Sequence, residues 1–159
     1  MKRISERSFF MFAYALERFL EAQNSRHWGD SYEDALAEMK RGQKRGHWIW
    51  YIFPQLRALG RSTASHFFGI ENAEEAKAYL AHEILGARLC EITGVLLNLP
   101  ETNIFFIMSG IDAMKLRSCM TLFAQVEGAP PVFEAVLEKY FNGKRDEKTL
   151  ALLNGKESR

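Results

Sequence analysis

The chain has 159 residues, of which 47% are hydrophobic and 26% charged, and a formal net charge of +1. This is one ordinary domain, long enough to bury a core and too apolar to be disordered. The near-neutral balance argues against wholesale nucleic-acid binding, because phosphate contacts usually require a basic domain.

In chain order, the apolar run from Ser8 to Leu16 is bounded by Glu6, Arg7, Glu17 and Arg18 and lacks a small-residue cleavage site, so it does not read as a signal peptide. No segment approaches the length of a membrane span, and no membrane partner is expected. Residues 9–24 predict a helix, with Phe9, Phe12, Leu16, Phe19 and Leu20 on one stripe. Ser31 opens a second helix with Asp34 in the capping-box position, and Gly42 closes it. The run Trp48 to Phe53 favours a strand by local propensity. With no convincing partner strand, it is read as a short buried helix or turn that stops before Pro54. Ser62 caps a short helix through Phe68. Asn72-Ala-Glu-Glu75 forms a capping box for a helix to about Ala81.

A longer helix is expected from about Glu83 to Asn98, with Ile84, Leu85, Leu89, Ile92, Leu96 and Leu99 inward, ending at Pro100. Thr102 caps a turn through Met108, and Asp112 caps a helix to about Val126 whose opposite face carries Lys115, Ser118 and Gln125. Pro130 or Pro131 opens the next helix, with Val132, Val136, Leu137 and Tyr140 or Phe141 inward, and Asp146 caps a last one at 147–153. The expected fold is therefore all-α: a single multi-helical globular domain of about eight to ten helices over residues 1–153, followed by a polar tail at 154–159. Cys90 and Cys119 lie inside predicted helices, with no Cys or His at metal-ligand spacing. They read as small buried hydrophobes of a cytoplasmic protein.

Chemistry concentrates in residues 44–62. No Asp or Glu occurs between Glu38 and Glu71, and that window holds six Lys or Arg, which leaves the rest of the chain at about −5 by subtraction from +1. A local field of one sign favours an anionic ligand or partner. Trp48, Trp50 and Tyr51 offer faces for stacking or pocket walls; Lys44, Arg45 and Arg61 offer cations for phosphate; Gln55 and Ser62 offer orienting polar groups. Gly60-Arg61-Ser62 joins a guanidinium to a helix N-terminus. His47 is the candidate acid or base, with Asp112 and Lys115 as partners, and Ser118 completes the set if that helix faces the basic segment. The plainer reading makes the aromatics core, Asp112 a cap, and Lys115 and Ser118 a solvated face. There is no P-loop, dinucleotide fingerprint, HExxH, GxSxG or zinc cluster, so no cofactor or metal is expected.

His47-Trp-Ile-Trp-Tyr-Ile-Phe-Pro-Gln55, followed by Leu59-Gly-Arg-Ser62, resembles the signature of a bacterial family catalogued as domain-of-unknown-function family 1810. The resemblance continues in Arg18-Phe-Leu-Glu-Ala-Gln23, in the Tyr32 to Met39 helix, in Ala78-Tyr-Leu-Ala-His82, in Leu85-Gly-x-Arg-Leu89 and in Asp112-x-x-Lys-Leu-Arg-Ser-Cys-Met-Thr-Leu-Phe123, spanning residues 17–153. It implies a multi-helical fold and lends no reaction. The chain departs from the family pattern at Gly46 and Cys119, where Ser is common, and in Ile104-Phe-Phe-Ile-Met-Ser-Gly110. The leading expectation is a cationic, aromatic-lined pocket for a small anionic ligand of nucleotide or sugar-phosphate type. A subsidiary one is an enzyme hydrolysing a glycosidic or phosphoester bond in it. The alternative is a protein- or nucleic-acid-interaction module that uses the basic 40–61 segment as a surface. A third reading puts the signature in the core. Nothing in the sequence sets an oligomeric state.

Overall fold

The computed structural model describes residues 6–155, with the side chains of residues 6–11, 13 and 14 outside the description. The expectations for Phe9 and for the last four residues of the polar tail fall outside it. The described chain is all-α: α1 (Glu6–Gln23), α2 (Tyr32–Arg41), α3 (Ile49–Ile52), α4 (Thr63–Phe67), α5 (Ala73–Ala81), α6 (Leu85–Leu97), α7 (Gly110–Ala124), α8 (Val132–Phe141) and α9 (Glu147–Leu153), with 3-10 turns at Arg57–Leu59 and Ile104–Phe106. Among the described residues there is no strand, only one isolated parallel bridge between Leu56 and Ile70.

Most boundaries follow from caps visible in the sequence. Ser31 accepts from Asp34 N, the Asp34 carboxylate accepts from Ser31 N, and Gly42 closes α2 at φ +80. Ser62, Asn72 and Asp146 cap α4, α5 and α9 as expected. Four expectations are corrected. Ser109, not Asp112, caps α7, so the helix starts earlier and Asp112 lies in its first turn with its carboxylate free for another partner. Asn103, not Thr102, caps the 104–106 turn. The Asn72 capping box is only half made, because Glu75 turns its carboxylate to Glu71 N and Arg18. Ile84 is exposed, because His82 Nδ1 accepts from the Ile84 and Leu85 N–H groups and α6 begins at Leu85, two residues later than expected.

The core is built around α7. It packs against α3, α5, α8 and α9, while α6 packs on α2, α5 and α8, and α1 on α3 and α5. Neighbours on several sides explain why Ser118, Cys119, Met120, Thr121, Leu122 and Phe123 are all buried in succession. The expected solvated position of Ser118 is thereby overturned: its hydroxyl donates to Met114 O at 3.1 Å and to the Asp146 carboxylate at 3.2 Å. Cys90 and Cys119 are free thiols, and burial raises the pKa of each.

Candidate functional site

The loop joining α2 to α3 is held by one buried carboxylate. Glu38 Oε1 accepts from Trp48 Nε1 at 2.8 Å, Arg45 N at 2.9 Å and Gly46 N at 3.0 Å. Burial pushes the Glu38 carboxyl up, but these three donors and the nearby Lys44 charge outweigh it and leave its pKa below the ordinary value. Lys44, almost wholly buried, pairs with Asp112 at 2.9 Å, stands 4.7 Å over the Trp48 ring, and its backbone N–H donates to Ile107 O at 2.7 Å. Gly46 leaves room for this arrangement: a Cβ there would lie 1.7 Å from Asp30 Oδ2 and 2.9 Å from Trp48 Cδ1. The residue pair Lys44 and Asp112 is thus brought together, but as a buried tie between loop and α7.

The aromatic run is mostly core. Trp48, Ile49, Tyr51, Ile52 and Phe53 are buried, and only Trp50 is half-buried. Tyr51 donates to Asp30 O at 2.6 Å, and Gln23 Nε2 donates to Tyr51 O at 2.8 Å. Trp48 and Tyr51 therefore have no free face for a ligand, since both ring surfaces and polar atoms are engaged in packing. His47 is exposed and its imidazole has no hydrogen-bond partner among the described residues. Asp112 bonds neither to His47 nor to Lys115. The Arg45 guanidinium reaches Gln43, and Gln55 contributes its backbone carbonyl to Ile70 N at 2.8 Å. The candidates from the sequence do not converge as one set.

A different group does converge. Arg18, Arg57, Arg61 and His66 line one open cleft of about 830 Å³ together with Ser62 and Thr63. Phe67 and Ala15 supply its apolar wall, and among the described residues no carboxylate lines it. The three guanidiniums are not equivalent. Arg18, mostly buried, pairs with Glu75 at 3.1 Å and donates to Phe67 O at 2.8 Å and Gly69 O at 2.7 Å. Arg57 pairs with Glu71 and donates to His66 O at 2.9 Å and Gly69 O at 3.2 Å. Both thus place positive charge on the carbonyls at the C-terminal end of α4, where cations are favoured. Arg61 is exposed and has no partner among the described residues. The backbone of Gly69 passes so close to Arg57 that a Cβ would fall 2.3 Å from Arg57 Cα.

The expected anion site at Gly60-Arg61-Ser62 changes character. The N–H groups of Ser62 and Ser65 are taken by each other's hydroxyls at 3.1 Å, and α4 has only five residues, so the guanidinium rather than the helix end is what remains for a ligand. Arg18, His66 and Phe67 were not site candidates from the sequence, and Arg57 entered only as part of the basic 40–61 segment in the interaction-surface alternative. Arg57, Arg61 and His66 share an acid-free window and offered a local signal. Arg18 lies far upstream in α1, and only the packing brings it in.

Among the described residues no helix is long and apolar enough to cross a membrane, and no group of three metal-ligating side chains occurs. Residues 13–153 match a family model described as "Protein of unknown function (DUF1810)". The chain is similar to the crystal structure of the conserved hypothetical protein Rv1873 from Mycobacterium tuberculosis, with 43% identity and a TM-score of 0.84, over 89% of this chain and 98% of that one. Among curated proteins nothing matches.

Proposed function

The chain belongs to the DUF1810 family, and from that premise we propose that it binds a small anionic ligand, of nucleotide or sugar-phosphate type, in the cleft beside α4. The observation that carries this reading is the Arg61 guanidinium, without a partner among the described residues, on a cleft wall already built from Arg18, Arg57 and His66. Glu75 and Glu71 neutralise Arg18 and Arg57 from behind, so those two arginines shape the wall and orient donors, and Arg61 supplies the uncompensated charge. His66 is the acid–base group among the lining residues and would serve any chemistry there.

The test is a thermal-shift comparison of wild type and Arg61→Ala with inorganic phosphate, ribose 5-phosphate and 5′-AMP. Ligand at a hundred times its Kd stabilises by about 2.7 kcal/mol, a rise of roughly 5–10 °C for a chain of this size. The expected result is a rise in wild type that Arg61→Ala removes. No rise with any ligand, or an equal rise in the variant, refutes the proposal.

A second reading rests on the exposure of Arg41, Arg45 and His47 at the other end of the basic segment. There the segment would act as an interaction surface, and binding to nonspecific nucleic acid would weaken steeply with salt. Absence of binding at low salt removes the nucleic-acid form of it.

A further inference from the structure

Resting on the anion-cleft reading above, we infer that the ligand is a nucleoside phosphate, with its base against Phe67 and its phosphate at Arg61. The cleft is cationic on one side and aromatic on the other. Phe67 ends α4, lines the cleft and is 43% exposed. Its ring is not loose. Trp28 stacks on it with centroids 5.1 Å apart and planes at 20°, and Phe68 meets Phe67 edge-on at 4.8 Å and Trp28 edge-on at 5.1 Å. Its backbone is held as well, by the Arg18 Nε donor on Phe67 O. Trp28, itself 44% exposed, backs one face of the Phe67 ring and leaves the other for a ligand.

A braced aromatic ring open to solvent, beside a guanidinium with no partner among the described residues, suits a ligand with a planar π-system at one end and a phosphate at the other. Spacing agrees. Ser62 is the N-cap of α4 and Phe67 its last residue, five positions on, so Phe67 stands about 7.5 Å along the axis from the cap that follows Arg61, at 1.5 Å per residue. The sugar of a nucleoside monophosphate bridges a comparable gap between base and phosphate. A sugar phosphate or inorganic phosphate would satisfy Arg61 and leave Phe67 in water.

The experiment is isothermal titration of the full chain with 5′-AMP, ribose 5-phosphate, adenosine and inorganic phosphate, on wild type, Phe67→Leu and Trp28→Leu. Circular dichroism establishes that each variant is folded. In wild type, 5′-AMP should bind roughly tenfold or more tightly than ribose 5-phosphate, in line with the contribution of one stacked base, and adenosine should bind more weakly than 5′-AMP. Phe67→Leu should erase the preference for 5′-AMP while leaving ribose 5-phosphate affinity unchanged, and Trp28→Leu should reduce that preference. Equal affinity for 5′-AMP and ribose 5-phosphate overturns this inference and leaves the anion reading standing. So does a Phe67→Leu variant that loses all phosphate ligands equally. Absence of binding by every phosphate compound, or adenosine matching 5′-AMP, overturns the anion reading itself.

Discussion

Replacing Glu38 by Ala should cost about 2–4 kcal/mol, most of it from the hydrogen bonds that its carboxylate accepts. One oxygen takes three donors, Trp48 Nε1, Arg45 N and Gly46 N, at 2.8, 2.9 and 3.0 Å. Hydrogen bonds to a charged group contribute roughly 1.5–3 kcal/mol each, but three donors sharing one acceptor do not add. Arg45 is exposed and Gly46 half-buried, so water can replace the carboxylate at their N–H groups. Trp48 is fully buried, and its orphaned indole N–H alone costs about 1–3 kcal/mol. For a chain of this length the total lowers Tm by about 5–15 °C. The assay is urea denaturation followed by far-UV circular dichroism, on Glu38→Ala, Trp48→Phe and the double variant. The double variant should lose less than the sum of the singles by about 1 kcal/mol, because the orphaned donor is gone. A Glu38→Ala cost under about 0.5 kcal/mol, or strict additivity, would refute the view that this carboxylate organises the 44–48 loop.

Acidification offers a second check on the same group. The Glu38 carboxyl is held below its ordinary value of 4.5, so the unfolded chain takes up that proton more readily. Its stabilisation is complete above that value and is lost as pH falls through the lowered folded one; between about pH 5.5 and 3.5 the wild-type urea midpoint should drop more steeply than that of Glu38→Gln, and parallel curves would count against it. Gly69→Ala should cost about 2–4 kcal/mol in the same assay, because its Cβ would meet Arg57 Cα at 2.3 Å and backbone cannot yield as a side-chain tip can. A neutral result would show that this contact is looser than described. By contrast, Phe105→Ser and Phe106→Ser, at positions 61% and 68% exposed, should each stay within about 0.5 kcal/mol of wild type in denaturation midpoint. A larger loss would place those rings in the core.

Local chemistry was legible wherever the determinant lies within a few residues. The caps at Ser31, Ser62, Asn72 and Asp146, the stop at Gly42, and the apolar stripe of α6 all follow from side chains next to the backbone they serve. The signature from His47 to Gln55 was legible as unusual, and the family match bears out that resemblance. Its use was not legible. A run of Trp, Tyr and Phe beside Lys and Arg fits a ligand wall and a core equally well until the donors and rings are paired. Pairing depends on Glu38 for Trp48, Asp30 for Tyr51 and Asp112 for Lys44.

An all-α chain with one acid-free cationic stretch could be read directly from the residues, because helix periodicity, caps and charge order are written residue by residue. Which cations are paired and buried and which stay open to solvent was set by the packing of distant segments. Lys44 is spent inside the loop, Arg18 arrives from α1 to meet Phe67 and Gly69, and Arg61 is left open on the cleft wall. The physical reason is that a charge's role depends on its counter-charge and its access to water, and both are set by packing between residues far apart in the chain.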